Sequence, residues 1–151
     1  MSYITRTLGE DEKVQVVAKL HWICYIYPTL LFFVCLLCGL LGLGTNPFFL
    51  LISCLIGLLA LYHFLNLNAI EMVVTNRRVV CRKGIIGIKT WELKNNKVES
   101  IEVKQSLKGR LFGYATLWFS GTGTSKVCFH DVKNPWSLKK KIDLIIEKHG
   151  N

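Results

Sequence analysis

The cysteines are the side chains of this sequence whose thiols could carry redox chemistry or form disulfides. Cys24, Cys35, Cys38 and Cys54 lie within one apolar stretch, where Cys35 and Cys38 form a CxxC pair. A redox-active pair needs a nearby cation or helix N-terminus to stabilise a thiolate, and the sequence places neither beside it. We therefore interpret these cysteines as packed or lipid-facing side chains rather than as a thiol redox site or a secreted disulfide framework.

The four histidines do not fit a catalytic or metal-binding pattern. His21 and His63 border or enter the apolar stretch, and His149 is near the end of the sequence. His130 adjoins Asp131 in a predicted strand, where neighbouring side chains point to opposite faces, so we do not expect this pair to share a site. No GxSxG, HExxH or Walker pattern occurs. We predict a protein that is not an enzyme and that uses no cofactor or metal.

An uncharged stretch runs from Leu20 to Ile70, without Asp, Glu, Lys or Arg. Residues 23–43 would form a helix about 30 Å long, enough to cross a bilayer core. Twelve Leu, Ile, Phe or Val residues in that range favour insertion by about 6 kcal/mol. A break from Gly42 to Pro47 precedes a second apolar run. We therefore predict a transmembrane helical hairpin over residues 22–69, with spans at about 23–43 and 48–67.

The flanking charges predict how this hairpin is oriented. Every Lys and Arg lies outside it on the side of the termini, and the turn carries none. The positive-inside rule then places both termini in the cytoplasm of a multi-pass inner-membrane protein, with residues 1–21 as an N-terminal cytoplasmic segment. A cleaved signal peptide is the competing explanation, but 21 residues is long for one and no small-x-small cleavage site follows.

Small residues on the second predicted span indicate a close helix contact. Ser53, Gly57 and Ala60 fall on one helical face, and such faces allow helix backbones to approach each other. The contact is either with the first span or with another copy of the chain in a homo-oligomer. We favour packing within the chain.

Residues 70–151 are predicted to form a mostly β domain. β-branched and aromatic residues alternate between glycine and asparagine breaks, which predicts an antiparallel meander with strands at about 70–74, 78–83, 88–93, 98–105, 114–120 and 126–131. Asn134 and Pro135 are typical of a helix start, and the helix should end at Gly150. Residues 13–20 are either an added strand or a helix entering the membrane, and we favour the strand.

The formal net charge of +9 is concentrated in this domain, since residues from Glu71 onward include 16 basic and 7 acidic side chains. Such a surface favours anionic partners, and next to an anionic leaflet it would orient the domain. An apolar turn with a basic collar would enter the interface, although we favour its two isoleucines folding back onto the sheet. The candidate membrane-surface contacts are Arg77, Arg78, Arg82, Lys83, Ile85, Ile86 and Lys89.

Several segments carry a resemblance to a known family. They are Val74-Thr75-Asn76-Arg77-Arg78-Val79, Gly84-Ile85-Ile86-Gly87, Val98-Glu99-Ser100-Ile101-Glu102-Val103, the stretch from Gln105 to Thr116, and His21-Trp22. With these segments the chain resembles the bacterial pleckstrin-homology-like (PH) membrane proteins, in which a hydrophobic hairpin precedes a PH-type barrel. The resemblance implies a bent antiparallel sheet of about six or seven strands closed by a C-terminal helix. The stretch from Gly109 to Gly113, with Leu111 and Phe112 beside Lys108 and Arg110, is a candidate for a second apolar tip of the same kind. The resemblance implies instead that it is a packed structural turn.

These observations together predict a non-catalytic, membrane-anchored PH-like module at the cytoplasmic membrane surface. Its expected partners are anionic lipid headgroups or a membrane protein. The alternative is a structural subunit that forms homo-oligomers or scaffolds a membrane complex. Nucleic acid is not an expected partner, because the domain lacks a recognition helix with side chains for base edges.

Overall fold

The computed structural model of the chain describes residues 9, 11–44, 46–123 and 125–149. It divides into two compact units, one formed by the residues before Trp22 together with those from Ile70 onward, the other by Trp22–Ala69. Thr45 in the predicted turn and Gly150 at the predicted helix end lie outside the described residues.

The unit Trp22–Ala69 consists of two apolar helices, α1 (Ile26–Gly44) and α2 (Phe48–Asn68), with a 3-10 turn at Trp22–Tyr25 before them. They run antiparallel, since Tyr25 Oη donates to Asn68 Oδ1 at one end and Gly42 packs on Leu50 at the other. By length and composition both helices are sufficient to cross a membrane. Most of their large apolar side chains are exposed.

The small residues of α2 lie against α1. Ser53 Oγ donates to the carbonyl oxygen of Cys35 at 2.8 Å, and the Cys35 thiol donates to the Ser53 carbonyl at 3.2 Å. A Cβ on Gly57 would stand 3.2 Å from Cys35 Sγ, and Ala60 is buried. The structure therefore places Ser53, Gly57 and Ala60 in or beside the contact between the two helices, with Cys35 as a packed side chain.

The other unit is built from two antiparallel sheets and two helices. The first sheet has the order β1 (Val14–Ala18), β2 (Glu71–Thr75), β3 (Arg78–Lys83) and β4 (Lys89–Lys94). The second contains β5 (Val98–Lys104), β6 (Tyr114–Gly121) and β7 (Lys126–Lys133). A short helix, α3 (Leu107–Phe112), joins β5 to β6, and α4 (Pro135–His149) follows β7.

The predicted strands and C-terminal helix are confirmed, including the strand upstream of the apolar helices. The prediction of one continuous meander is wrong, because β4 and β5 belong to different sheets. A 3-10 turn at Asn95–Lys97 separates them. Buried Asn95 donates from its backbone N–H to the Arg77 carbonyl at 2.9 Å and from Nδ2 to the Thr75 carbonyl at 3.0 Å. These bonds fix the turn to the first sheet and redirect the chain.

The core lies between the two sheets, where alternate β6 residues are buried as the strand period of two requires. Phe119 and Phe129 meet with ring centroids 4.9 Å apart. Leu138 and Ile142 of α4 belong to the same cluster, so the helix closes the core. The chain after β1 also bridges the sheets, because Leu20 pairs with Val132 of β7.

The two apolar helices are an insertion within a strand pair. Strand β1, which precedes them, pairs with β2, which follows them, and Ala18 lies opposite Met72. The hairpin that the resemblance implied is present as these two helices near the N-terminus, and the favoured strand upstream of it, β1, is part of the first sheet. The chain therefore leaves the sheet after β1 and returns to it at the same end, at the start of β2.

Candidate functional site

The turn between β3 and β4 is an exposed apolar loop. Ile86 is 83% exposed, and Ile85 and Ile88 are 42% and 53% exposed. Gly84 adopts φ +99°, and a Cβ there would collide with the carbonyl oxygen of Gly87. The expectation that the isoleucines fold back onto the sheet is wrong, because this glycine-dependent turn directs them away from the core.

The loop lies at the end of the sheet where the apolar helices are inserted. In the register of the sheet Arg82 lies opposite Glu71 at the start of β2, and Lys83 lies opposite Lys89 on the far side of the loop. The structure therefore brings together five of the predicted contact residues. They are Arg82, Lys83, Ile85, Ile86 and Lys89.

The other two predicted contact residues lie at the opposite end of β3. Arg77 lies in the turn between β2 and β3, and Arg78 is the first residue of β3. The Arg77 guanidinium is 3.6 Å from the Asp11 carboxylate. Arg78 pairs with Glu12 at 2.8 Å and with Glu92 at 2.7 Å. Both therefore lie away from the β3–β4 loop and next to acidic side chains of the same unit.

The Glu12 carboxylate is the centre of this charge network. It accepts hydrogen bonds from Arg78 Nε and Nη2, from Thr75 Oγ1 and from the Gly9 backbone N–H. Burial alone would raise the pKa of Glu12, but these hydrogen bonds and the Arg78 charge outweigh it and hold the pKa below its ordinary value. For Arg78 the same hydrogen bond favours the charged form of the guanidinium and so raises its pKa. The pair is charged at neutral pH.

Two antiparallel sheets with a C-terminal helix form a PH-like domain, and a family model described as a bacterial PH domain matches residues 20–144. The chain belongs to the bacterial PH domain family. The matched range includes both apolar helices as well as the strands from β2 onward. No curated protein and no solved structure matches the chain. PH-like domains commonly bind lipids or proteins and are generally not catalytic, which suggests a binding module.

The PH domain also has an open cavity of about 670 Å³ on its second sheet, where a β-bulge changes the strand alternation. The register shifts between Ala115 and Leu117, and Asp131 adopts φ +45°. His130 and Asp131 consequently line the same cavity beside Trp118. The expectation that this pair could not share a site is wrong, because a bulge reverses side-chain direction locally. The strand pattern gave no sign of the extra residue.

Two cysteines line a second cavity of the PH domain, of about 260 Å³, between the ends of the sheets. Burial raises the pKa of Cys81 and of Cys128 to about 11. Both are therefore protonated thiols at neutral pH, unlike a nucleophilic cysteine. In the described part of the chain no three or more His, Cys, Asp or Glu side chains are grouped to hold a metal ion.

Proposed function

We propose that this protein is a membrane-anchored binding module, in which α1 and α2 span the inner membrane and the PH domain engages anionic headgroups on the cytoplasmic side. Both termini are cytoplasmic in this proposal. The two uncharged helices support it, because their apolar side chains remain exposed in the unit and such a surface is stable in hydrocarbon. The module catalyses no reaction.

The observation that carries the proposal is the position of the apolar loop. The loop lies at the end of the first sheet from which the chain leaves for α1 and to which it returns from α2. An exposed isoleucine gains about 2 kcal/mol when it is fully buried in an apolar phase. Each basic residue near an anionic leaflet contributes about 1 kcal/mol. Ile85 and Ile86 supply the first contribution, and the flanking Lys83 and Lys89 supply the second.

Photocrosslinking in lipid nanodiscs tests this contact. A benzophenone amino acid replaces Ile86 in the full chain, reconstituted with equal parts of phosphatidylcholine and phosphatidylglycerol. We expect lipid adducts at position 86. Reversal of the charges by Lys83→Glu and Lys89→Glu should lower their yield in anionic nanodiscs but not in neutral ones.

The matched control is the double substitution Lys94→Glu, at the other end of β4, and Lys97→Glu, in the turn that follows it. This control should leave the adduct yield unchanged. The lipid proposal fails if position 86 gives no lipid adduct. A single recurring protein adduct from native membranes would instead identify a protein partner.

The second candidate function is assembly through the apolar helices. A groove of about 480 Å³ runs along their surface. It is lined by Pro28, Thr29, Phe32, Gly57, Ala60, Leu61 and Phe64, and its exposed apolar side chains would pack against a helix from another copy. Leu61 is 54% exposed, so Leu61→Trp would fill the groove without disturbing the contact at Ser53. A defined oligomer in detergent that this substitution dissociates would favour assembly, and a monomer would favour the lipid module.

A further inference from the structure

The short helix α3, between β5 and β6, exposes two leucines. Leu107 is 83% exposed and Leu111 is 80% exposed, although the resemblance implied a packed turn for this region. On a monomeric soluble domain the exposure of two leucine side chains on one tip to water is energetically unfavourable. We call this helix, Leu107–Phe112, the α3 tip.

Polar bonds beneath the leucines hold the tip in one conformation. Ser106 caps the helix by accepting from the Gly109 N–H at 3.1 Å. Gln105 Nε2 donates to the carbonyl oxygens of Gly109 and Tyr114. Gly109 is buried so closely that a Cβ would stand 2.5 Å from the Tyr114 carbonyl. The tip is thus fixed to the start of β6.

The charge of the tip is entirely positive. Lys108 and Arg110 lie between the two leucines, and the sequence from Lys104 to Tyr114 contains no Asp or Glu. Both side chains are exposed. This combination of exposed leucines and exposed cations is complementary to an anionic lipid surface, which accepts apolar side chains below its charged headgroups.

The tip also stands close to the point where the chain leaves this unit for the apolar helices. The ring of Tyr114, which follows α3, lies 5.3 Å from the ring of His21, the last residue before Trp22. The His21 N–H donates to the Asp131 carbonyl at 2.8 Å, which fixes that residue to the second sheet. The α3 tip therefore lies near the point where the chain leaves this unit, after His21. The Ile85–Ile86 loop lies near the point where the chain re-enters it, at the start of β2.

We infer that α3 is a second membrane contact, at which Leu107 and Leu111 enter the anionic leaflet and Lys108 and Arg110 bind its headgroups. This inference rests on the proposed membrane-surface function and adds to it a second point of contact on the other sheet. A second contact on the second sheet fixes the orientation of the domain to the bilayer.

The test places the benzophenone amino acid at position 111 of the full chain, in nanodiscs with equal parts of phosphatidylcholine and phosphatidylglycerol. The matched control is position 144, because Leu144 of α4 is also an exposed leucine, at 58%. We expect a several-fold higher yield of lipid adducts at position 111 than at position 144. Lys108→Glu with Arg110→Glu should reduce the yield at 111 to the level at 144.

The results at positions 86 and 111 separate the two proposals. Adducts at both positions support both contacts. Adducts at 86 with only the position-144 level at 111 overturn the inference about α3 and leave the proposed function standing. Absence of lipid adducts at both positions overturns the proposed function as well. A protein adduct at 111 in native membranes would overturn the lipid assignment of this tip in favour of a protein partner.

Discussion

Arg78 donates from Nε to Oε1 of Glu12 at 2.8 Å, joining residues 66 positions apart across the inserted helices. The Glu12 side chain is 4% exposed and that of Arg78 is 24% exposed. The same carboxylate accepts from the Thr75 hydroxyl, which also receives the backbone N–H groups of Arg77 and Arg78. This network attaches the segment before β1 to the turn between β2 and β3.

The first prediction is that Glu12→Gln destabilises the PH domain by about 2 kcal/mol, because it weakens buried charge-assisted hydrogen bonds and leaves Arg78 less compensated. Thermal unfolding of the full chain in detergent should show a Tm lower by roughly 10 °C. The matched control is Glu102→Gln, which removes an exposed pair with Lys104 at 3.8 Å and should change stability by less than about 0.5 kcal/mol. Equal effects of the two substitutions would contradict the network's role.

The second prediction concerns acid stability. The pKa of Glu12 is lowered by folding, so its contribution is complete above the ordinary value near 4.5 and is lost as pH falls through the lower folded pKa. The Tm of the native chain should therefore decline in acid more steeply than that of Glu12→Gln. Parallel Tm curves for the two chains below pH 5 would show that Glu12 does not couple folding to protonation.

The third prediction uses two glycines of the β3–β4 loop. Gly84 has φ +99° and its missing Cβ would meet the Gly87 carbonyl, whereas a Cβ on Gly87 would meet nothing within 4 Å. Gly84→Ala should cost about 1 to 2 kcal/mol and lower lipid crosslinking at position 86. Gly87→Ala is the control and should leave both measurements unchanged. If Gly84→Ala keeps full crosslinking, the isoleucines do not depend on this turn.

The fourth prediction concerns alkaline pH. Burial raises the pKa of Cys81 from 9.0 to about 11, so between those values the unfolded thiol ionises while the folded one stays protonated. Stability should therefore fall as pH rises from 9 to 11. Cys81→Val removes this titration. As pH rises across that interval, the Tm of the Cys81→Val variant should therefore rise relative to the Tm of the native chain. A constant difference would contradict the prediction.

The sequence predicts the strands of this fold because alternation and turn residues are local signals. It also predicts α4, whose start is marked by Asn134 and Pro135. It does not predict the division into two sheets, since that division depends on Asn95 bonding to Thr75 and Arg77 across the fold. The bulge at Asp131 and the ion pairs of Arg78 with Glu12 and Glu92 likewise depend on contacts between distant segments, which no local pattern of the sequence indicates.

The candidate surface was predictable in composition but not in arrangement. Basic residues and the Ile85–Ile86 pair are visible in the sequence, yet only the register with Glu71 places Arg82 and Lys83 at the end where the apolar helices are inserted. The exposure of Leu107 and Leu111 depends on the Gln105 and Ser106 bonds that hold α3, and these involve no periodic pattern.

The fifth prediction tests the topology on which both membrane proposals depend. In the proposed topology the outer ends of α1 and α2 lie on one side of the membrane, because the paired strands β1 and β2 flank the helices. The turn before Phe48 then lies on the other side. A periplasm-active alkaline phosphatase inserted at Asn46 should be active, and a green fluorescent protein fused after Asn151 should fluoresce in the cytoplasm. Exchanging the two reporters should abolish both signals. Active phosphatase at the C-terminus would show that the orientation is the opposite of the proposed one. A chain recovered in the soluble fraction without detergent would contradict membrane insertion.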